Sequence, residues 1–125
     1  MEHHGMANVL LVDDSRDLVE TVATALEHDG HTVRCAYDGA EGLREAANFA
    51  PRVAILDIGL PKVDGIELAR ALRQMHGAQL TIIACTGAND DTLRRVIDAG
   101  FDHVFRKPVE IQALLNVVGS RGARS

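Results

Sequence analysis

Short apolar runs rich in β-branched residues alternate five times along the chain with longer stretches of helical spacing. A run that is apolar throughout suits a strand covered on both faces, as central parallel strands are. The pattern predicts strands at Asn8–Val12, His31–Ala36, Arg52–Leu56, Gln79–Cys85 and His103–Arg106. A helix candidate follows each. The first repeats Leu18, Val22 and Leu26 every four residues, and the last carries Ile111, Leu114, Leu115 and Val118, so each has one apolar stripe to lay on a sheet. The second relies on Ala40, Leu43 and Ala47, the third on Leu68, Leu72 and Met75, and the fourth on Leu93, Val96 and Ile97.

Boundary signals fall where this division needs them. Asp38 with Glu41, and Asp64 with Glu67, have the spacing of an N-capping side chain and its reciprocal acid. Gly30, Gly77 and Gly100 stand where helix C-caps belong. Five units in 125 residues leave about 25 residues for each strand, helix and pair of tight loops. The fold expected is α/β, a single doubly wound five-stranded parallel sheet with five helices. A closed eight-unit barrel is excluded by length. The folded domain is placed at residues 7–119, with 1–6 and 120–125 as flexible ends; His3 and His4 are assigned no function.

Composition narrows the function. Thirteen Lys and Arg against 18 Asp and Glu give a net charge of −5, and aromatic residues make up 3% of the chain. A direct nucleic-acid binder needs a basic face or stacking platforms, so that class is set aside. No apolar stretch approaches the roughly 20 residues of a membrane span, and the first residues form no hydrophobic leader, so neither insertion nor secretion is expected. Cys35 and Cys85 lie in apolar runs without metal-ligand spacing and read as small buried thiols of a reducing compartment, the cytoplasm. His28, His31, His76 and His103 read as surface histidines.

Open parallel sheets bind ligands beyond the carboxyl ends of their strands. The residues there are Asp13 and Asp14 after the first strand, Asp57 after the third, Thr86 and Gly87 after the fourth, and Lys107 and Pro108 after the fifth. Each alone is adequately explained as a cap or turn residue. As a set, three carboxylates on one rim repel one another unless they share a cation. Oxygen ligands with room for water and phosphate suit Mg²⁺. Lys107 and the Thr86 hydroxyl then flank the place where a phosphoryl group would sit, and a carboxylate facing that group is a nucleophile.

The segments Leu10-Leu11-Val12-Asp13-Asp14-Ser15, Asp57-Ile58-Gly59-Leu60-Pro61, Ala84-Cys85-Thr86-Gly87 and Phe105-Arg106-Lys107-Pro108 resemble the receiver domain of two-component response regulators. The resemblance runs from about Ala7 to Gly119. It implies a flavodoxin-like strand order of 2-1-3-4-5. It also implies that Asp57 accepts phosphate from a phosphohistidine on a sensor histidine kinase or phosphotransfer protein. Asp14, Asp57 and the carbonyl of Gly59 would bind Mg²⁺, with Asp13 acting largely through a metal-bound water, while Thr86 and Lys107 contact the phosphoryl oxygens. The Lys107–Pro108 bond is cis in that family, and Asp64-Gly65 with Pro61 match the loop after the phosphorylated strand.

Three positions depart from or modulate the family pattern. The family usually couples the threonine to an aromatic residue three positions before the lysine, and here that residue is Val104. Strand alternation sends Phe105 to the opposite face, toward the core, so the response to phosphorylation is expected to be weaker or differently routed, with Arg106 on the partner-binding face. Gly59 and Ala88 offer no polar side chain to orient an attacking water, which points to slow or moderate self-dephosphorylation. The rival readings are a Mg²⁺-dependent phosphohydrolase and a receiver that binds partners without phosphorylation. The first would carry Asp-x-Asp and a cap domain, where this chain has adjacent acids. Nucleotide-binding glycine loops are absent. The phrasing around Asp57 and before Lys107 is most similar to receivers linked to hybrid kinases, and a covalently linked kinase or output domain is compatible with the short arginine-bearing tail.

Overall fold

The computed structural model describes residues 6–58, 65–87 and 99–123. Its elements run β1 (Asn8–Val12), α1 (Arg16–His28), β2 (Thr32–Ala36), α2 (Gly39–Asn48), β3 (Val53–Asp57), α3 (Gly65–His76), a 3₁₀ turn (Gly77–Gln79), β4 (Thr81–Thr86), β5 (His103–Arg106) and α4 (Ile111–Ala123). All pairings are parallel, in the order β2-β1-β3-β4-β5. That is the doubly wound architecture expected. Four helices lie among the described residues; the predicted fourth helix, on Leu93, Val96 and Ile97, lies outside them.

Successive side chains of a strand point to opposite faces, and here both faces are apolar. Val9, Leu11, Val53, Ile55, Ile83 and Cys85 pack under α1 and α4 with Val22, Leu26 and Leu114. Leu10, Val12, Ala54, Leu56 and Ile82 pack on the other face with Leu68 and Leu72 of α3. The parity has a chemical consequence. Asp13 continues the row Val9–Leu11, Asp57 continues Val53–Ile55, and Lys107 continues His103–Phe105, so all three leave the sheet toward the α1–α4 side.

The capping predictions hold in detail where they can be read. Glu41 N–H donates to Asp38 Oδ1 at 2.8 Å, and Glu41 Oε1 accepts from Tyr37 N–H, one residue earlier than the usual reciprocal bond. Gly30 adopts φ +98° and ends α1: its N–H donates to the Glu27 carbonyl and that of His31 to the Leu26 carbonyl. Asp64 and Pro61 lie outside the described residues.

Several expectations are corrected. The buried stripe of α2 is Gly39, Gly42 and Ala46, with Leu43 packed beside it, one position off the predicted face; Ala47 is exposed. Glycine at 42 lets α2 approach the sheet closely, since a Cβ there would lie 3.2 Å from the Val12 side chain, a signal that an apolar count misses. Helix α3 buries the predicted Leu68 and Leu72 together with Ile66 and Ala69, but Met75 is 44% exposed. Strand β4 begins at Thr81, because Gly77–Gln79 turn into a 3₁₀ helix. His31 is buried, since its Nδ1 accepts the Ala7 N–H at 3.0 Å and ties down the entry to β1. Cys35 is only half-buried, being on the edge strand. Helix α4 continues to Ala123, beyond the Gly119 boundary expected for the domain.

Candidate functional site

The sheet brings together side chains that are far apart in sequence. Asp13 follows β1 immediately, and its position is set by two bonds: Asp13 N–H donates to the Ala36 carbonyl at 3.1 Å, and Ser15 N–H donates to Asp13 Oδ1 at 2.9 Å. Ser15 is also the N-cap of α1, with Oγ accepting from Leu18 N–H. The sequence reading passed over it. The signal was there, a serine just before a helical apolar period.

Asp57 ends β3 in register with Cys85 of β4. The next peptide is pinned, with Ile58 N–H donating to the Cys85 carbonyl at 3.2 Å. Lys107 N–H donates to the Thr86 carbonyl at 2.9 Å, which carries the β4–β5 pairing one residue past the strand. From there the Lys107 ammonium reaches Asp13 Oδ2 at 3.1 Å and Asp57 Oδ1 at 3.4 Å. The Lys107–Pro108 bond is cis, as the resemblance implied.

One carboxylate oxygen from each of Asp13, Asp14 and Asp57 lies within 4.8 Å of the others. Asp13 and Asp57 are buried, 3% and 9% exposed, while Asp14 faces solvent. One ammonium stands among three carboxylates. The donor chemistry fits a hard divalent cation: oxygen ligands alone, with one open side for water. Burial pulls the Lys107 pKa down, but the hydrogen bond to Asp13 and the charges of Asp57 and Asp13 outweigh it and leave the ammonium above its ordinary value.

Of the residues predicted from sequence, Asp13, Asp14, Asp57 and Lys107 converge on one point. Thr86 ends β4 on the same rim, 2% exposed, and joins Lys107 through its backbone. Gly59 and Ala88 lie outside the described residues. Val104 is 36% exposed on β5, whereas Phe105 packs against the α1–α4 core, so the expected alternation is found.

The sequence profile described as the response regulator receiver domain matches residues 9–119. The chain belongs to this family. It is 40% identical over 115 residues to the KDP operon transcriptional regulatory protein KdpE of Escherichia coli, covering 90% of this chain and 51% of that protein. The chain thus spans about half the length of the curated relatives it matches. A CheY-like response regulator receiver domain protein from Methanospirillum hungatei superposes with a TM-score of 0.87 at 28% identity, over 94% of both chains. A response regulator from Burkholderia pseudomallei, described with a phosphorylated aspartic acid, a calcium ion and citrate, superposes with a TM-score of 0.82 at 26% identity. That match covers 93% of this chain and 68% of the other. Among the described residues, no helix of the receiver domain is long and apolar enough to cross a membrane.

Proposed function

We propose that this receiver domain accepts a phosphoryl group on Asp57 from the phosphohistidine of a sensor histidine kinase or phosphotransfer protein, in a Mg²⁺-dependent step. One observation carries the reading: the Asp57 carboxylate stands at a strand end, 3.4 Å from an ammonium it shares with Asp13, inside a cluster of three acids. The phosphorylated aspartic acid of the Burkholderia pseudomallei regulator supports an aspartate as the kind of side chain that accepts the phosphoryl group.

In the transfer, an Asp57 Oδ forms the new O–P bond while the N–P bond of the donor breaks and its electron pair returns to the imidazole. Lys107 places a fixed positive charge beside the incoming phosphoryl oxygens, and the Thr86 hydroxyl donates to one of them. Asp13 keeps the Lys107 chain extended toward Asp57. Asp14, Asp57 and the Gly59 carbonyl would hold Mg²⁺, with Asp13 acting through a bound water. Mg²⁺ there would neutralise part of the charge on the transferring phosphoryl group. The domain acts on itself and on no separate substrate. The acyl phosphate carries about two negative charges where the carboxylate carried one, which draws Thr86 and Lys107 inward and signals to partners. With Val104 in place of an aromatic, that signal leaves by a different or weaker route through β5.

The functional unit runs from residue 7 through the end of α4. It acts in the cytoplasm, where Cys35 and Cys85 stay as free thiols, and is compatible with a covalently linked output or kinase domain. The test is incubation with a small acyl phosphate or a phosphorylated kinase, with and without Mg²⁺. Acid-labile phosphorylation of the wild-type domain that requires the metal, and is lost in Asp57→Asn, is the expected result. Equal labelling of Asp57→Asn would defeat the assignment.

A further inference from the structure

We propose that Gly65 is a positioning residue for the phosphoacceptor: its missing side chain lets the first turn of α3 press against the Asp57 carbonyl and fix the direction of the Asp57 carboxylate. The inference rests on the reading of Asp57 as acceptor and adds the device that aims it.

A Cβ at Gly65 would lie 2.6 Å from the Asp57 carbonyl oxygen, 2.8 Å from Ile58 Cα and 3.2 Å from the Asp57 carbonyl carbon. Non-bonded carbon atoms settle at roughly 3.5–4.0 Å, so a methyl group has no room there. All three obstructing atoms are backbone, so no side chain can swing aside. Gly65 lacks the left-handed φ of Gly30, Gly77 and Gly100. Closeness of approach, and not backbone conformation, is what demands glycine at this position.

The backbone of Ile58, the residue after Asp57, is clamped on both of its peptides. Ile58 N–H donates to the Cys85 carbonyl, and the Ile58 carbonyl accepts from Gly65 N–H, both at 3.2 Å. A methyl group at Gly65 must therefore push α3 outward or twist the Asp57–Ile58 peptide. Twisting it turns the Cα–Cβ bond of Asp57, whose Oδ1 is 3.4 Å from Lys107 and within 4.8 Å of the other acids. A shift of about 1 Å at a reacting group can cost on the order of 100-fold in rate. Gly42 provides the contrast. A Cβ there would meet the side chains of Val12 and Leu68 at 3.2 and 3.3 Å, which is crowding in the core rather than at the acceptor's own backbone.

The experiment compares wild type, Gly65→Ala and Gly42→Ala for phosphorylation rate with a small acyl phosphate, Mg²⁺ affinity by calorimetry, and thermal midpoint. Expected for Gly65→Ala is a fall of roughly 10- to 100-fold in maximal phosphorylation rate, with little change in the donor concentration giving half-maximal rate and weakened Mg²⁺ binding. Gly42→Ala is expected to lose thermal stability while each folded molecule keeps the wild-type rate and Mg²⁺ affinity. If Gly65→Ala is poorly folded, the assays are repeated in trimethylamine N-oxide, which favours the compact state. A rate that stays low in the refolded variant supports the role. Recovery of the wild-type rate and Mg²⁺ affinity overturns it, as does a variant that remains unfolded, because Gly65 would then serve stability alone. Wild-type protein that takes no phosphate at all would instead remove the acceptor reading beneath the proposal.

Discussion

The Nζ of Lys107 lies 3.1 Å from Oδ2 of Asp13, a contact that closes 94 residues of sequence. The same ammonium is 3.4 Å from Asp57 Oδ1, so one cation serves two of the three acids. It helps the fold and opposes a metal in the same place. Replacing it by Lys107→Met removes a positive charge beside the carboxylates, and pairs near a protein surface at such distances interact by a few kcal/mol before screening. Mg²⁺ should therefore bind about tenfold more tightly to Lys107→Met than to wild type, while phosphorylation by a small acyl phosphate falls. Calorimetry and acid-labile labelling check the two halves. Weaker Mg²⁺ binding in the variant would show that Lys107 organises the acids more than it competes for them.

Three carboxylates within 4.8 Å of one another also tie stability to cations. Without metal their repulsion acts on the folded state alone, and a ligand that binds only the folded form stabilises it in proportion to the logarithm of its concentration over Kd. Asp14 is the exposed member and so the safest to neutralise. Asp14→Asn should raise the thermal midpoint in chelator by ~2–4 °C and lose most of the rise that 10 mM Mg²⁺ gives wild type. Differential scanning with and without chelator decides it. An unchanged Mg²⁺ response would remove Asp14 from the ligand set.

Much of this was legible beforehand because the fold and the site obey one periodicity. Strands that are apolar on both faces announce a parallel sheet, and the first polar residue after each one marks the rim: Asp13, Asp57, Thr86 and Lys107 were found in this way. Their convergence was not in the pattern; it came from four motifs in family order. What composition and period could not show were contacts made by the backbone. Ser15 N–H orients Asp13, the Ala7 N–H turns His31 into a buried acceptor, and Gly65 matters for what it lacks. The helix stripe of α2 slipped for a related reason, since glycines at 39 and 42 count as faceless residues although both are buried, and a Cβ at Gly42 would meet Val12 at 3.2 Å.

Arg73 ties together the end of the sheet opposite the acids. Its guanidinium donates to the carbonyls of Gly77, Leu80 and Gly100 and to Asp102 Oδ2, which also accepts the Ile82 N–H at 2.8 Å. With both side chains about a third exposed, the ion pair itself is worth at most about 1 kcal/mol. The carbonyls are the larger matter, because a half-buried acceptor left without a donor costs about 1–3 kcal/mol. Arg73→Ala should destabilise the domain by ~2–3 kcal/mol in urea unfolding, and Arg73→Lys should recover less than half, since an ammonium cannot span the fork. Asp102→Asn should cost ~1 kcal/mol. Full rescue by lysine would mean that charge, and not the planar fork, does the tying.

Cys85 is buried beside the acids, and burial first, then the charges of Asp13 and Asp57, push its thiol up to about 12 against the opposing pull of Lys107. The sign of the pH effect follows. An unfolded cysteine ionises near about 8.5, so the folded state holds the proton more tightly, and the stabilisation is complete below that pH. It is lost progressively as pH rises toward about 12. Urea midpoints of wild type should therefore fall between pH 8.5 and the onset of alkaline unfolding more steeply than those of Cys85→Ala. Native protein at pH 8 should also expose one thiol, Cys35, to a disulfide reagent; burial and the nearby Glu27 and Glu45 raise that thiol too, so it reacts slowly. Cys85 should react only on unfolding. Rapid modification of both thiols in folded protein would show that the sheet beneath Asp57 opens far more often than its packing implies.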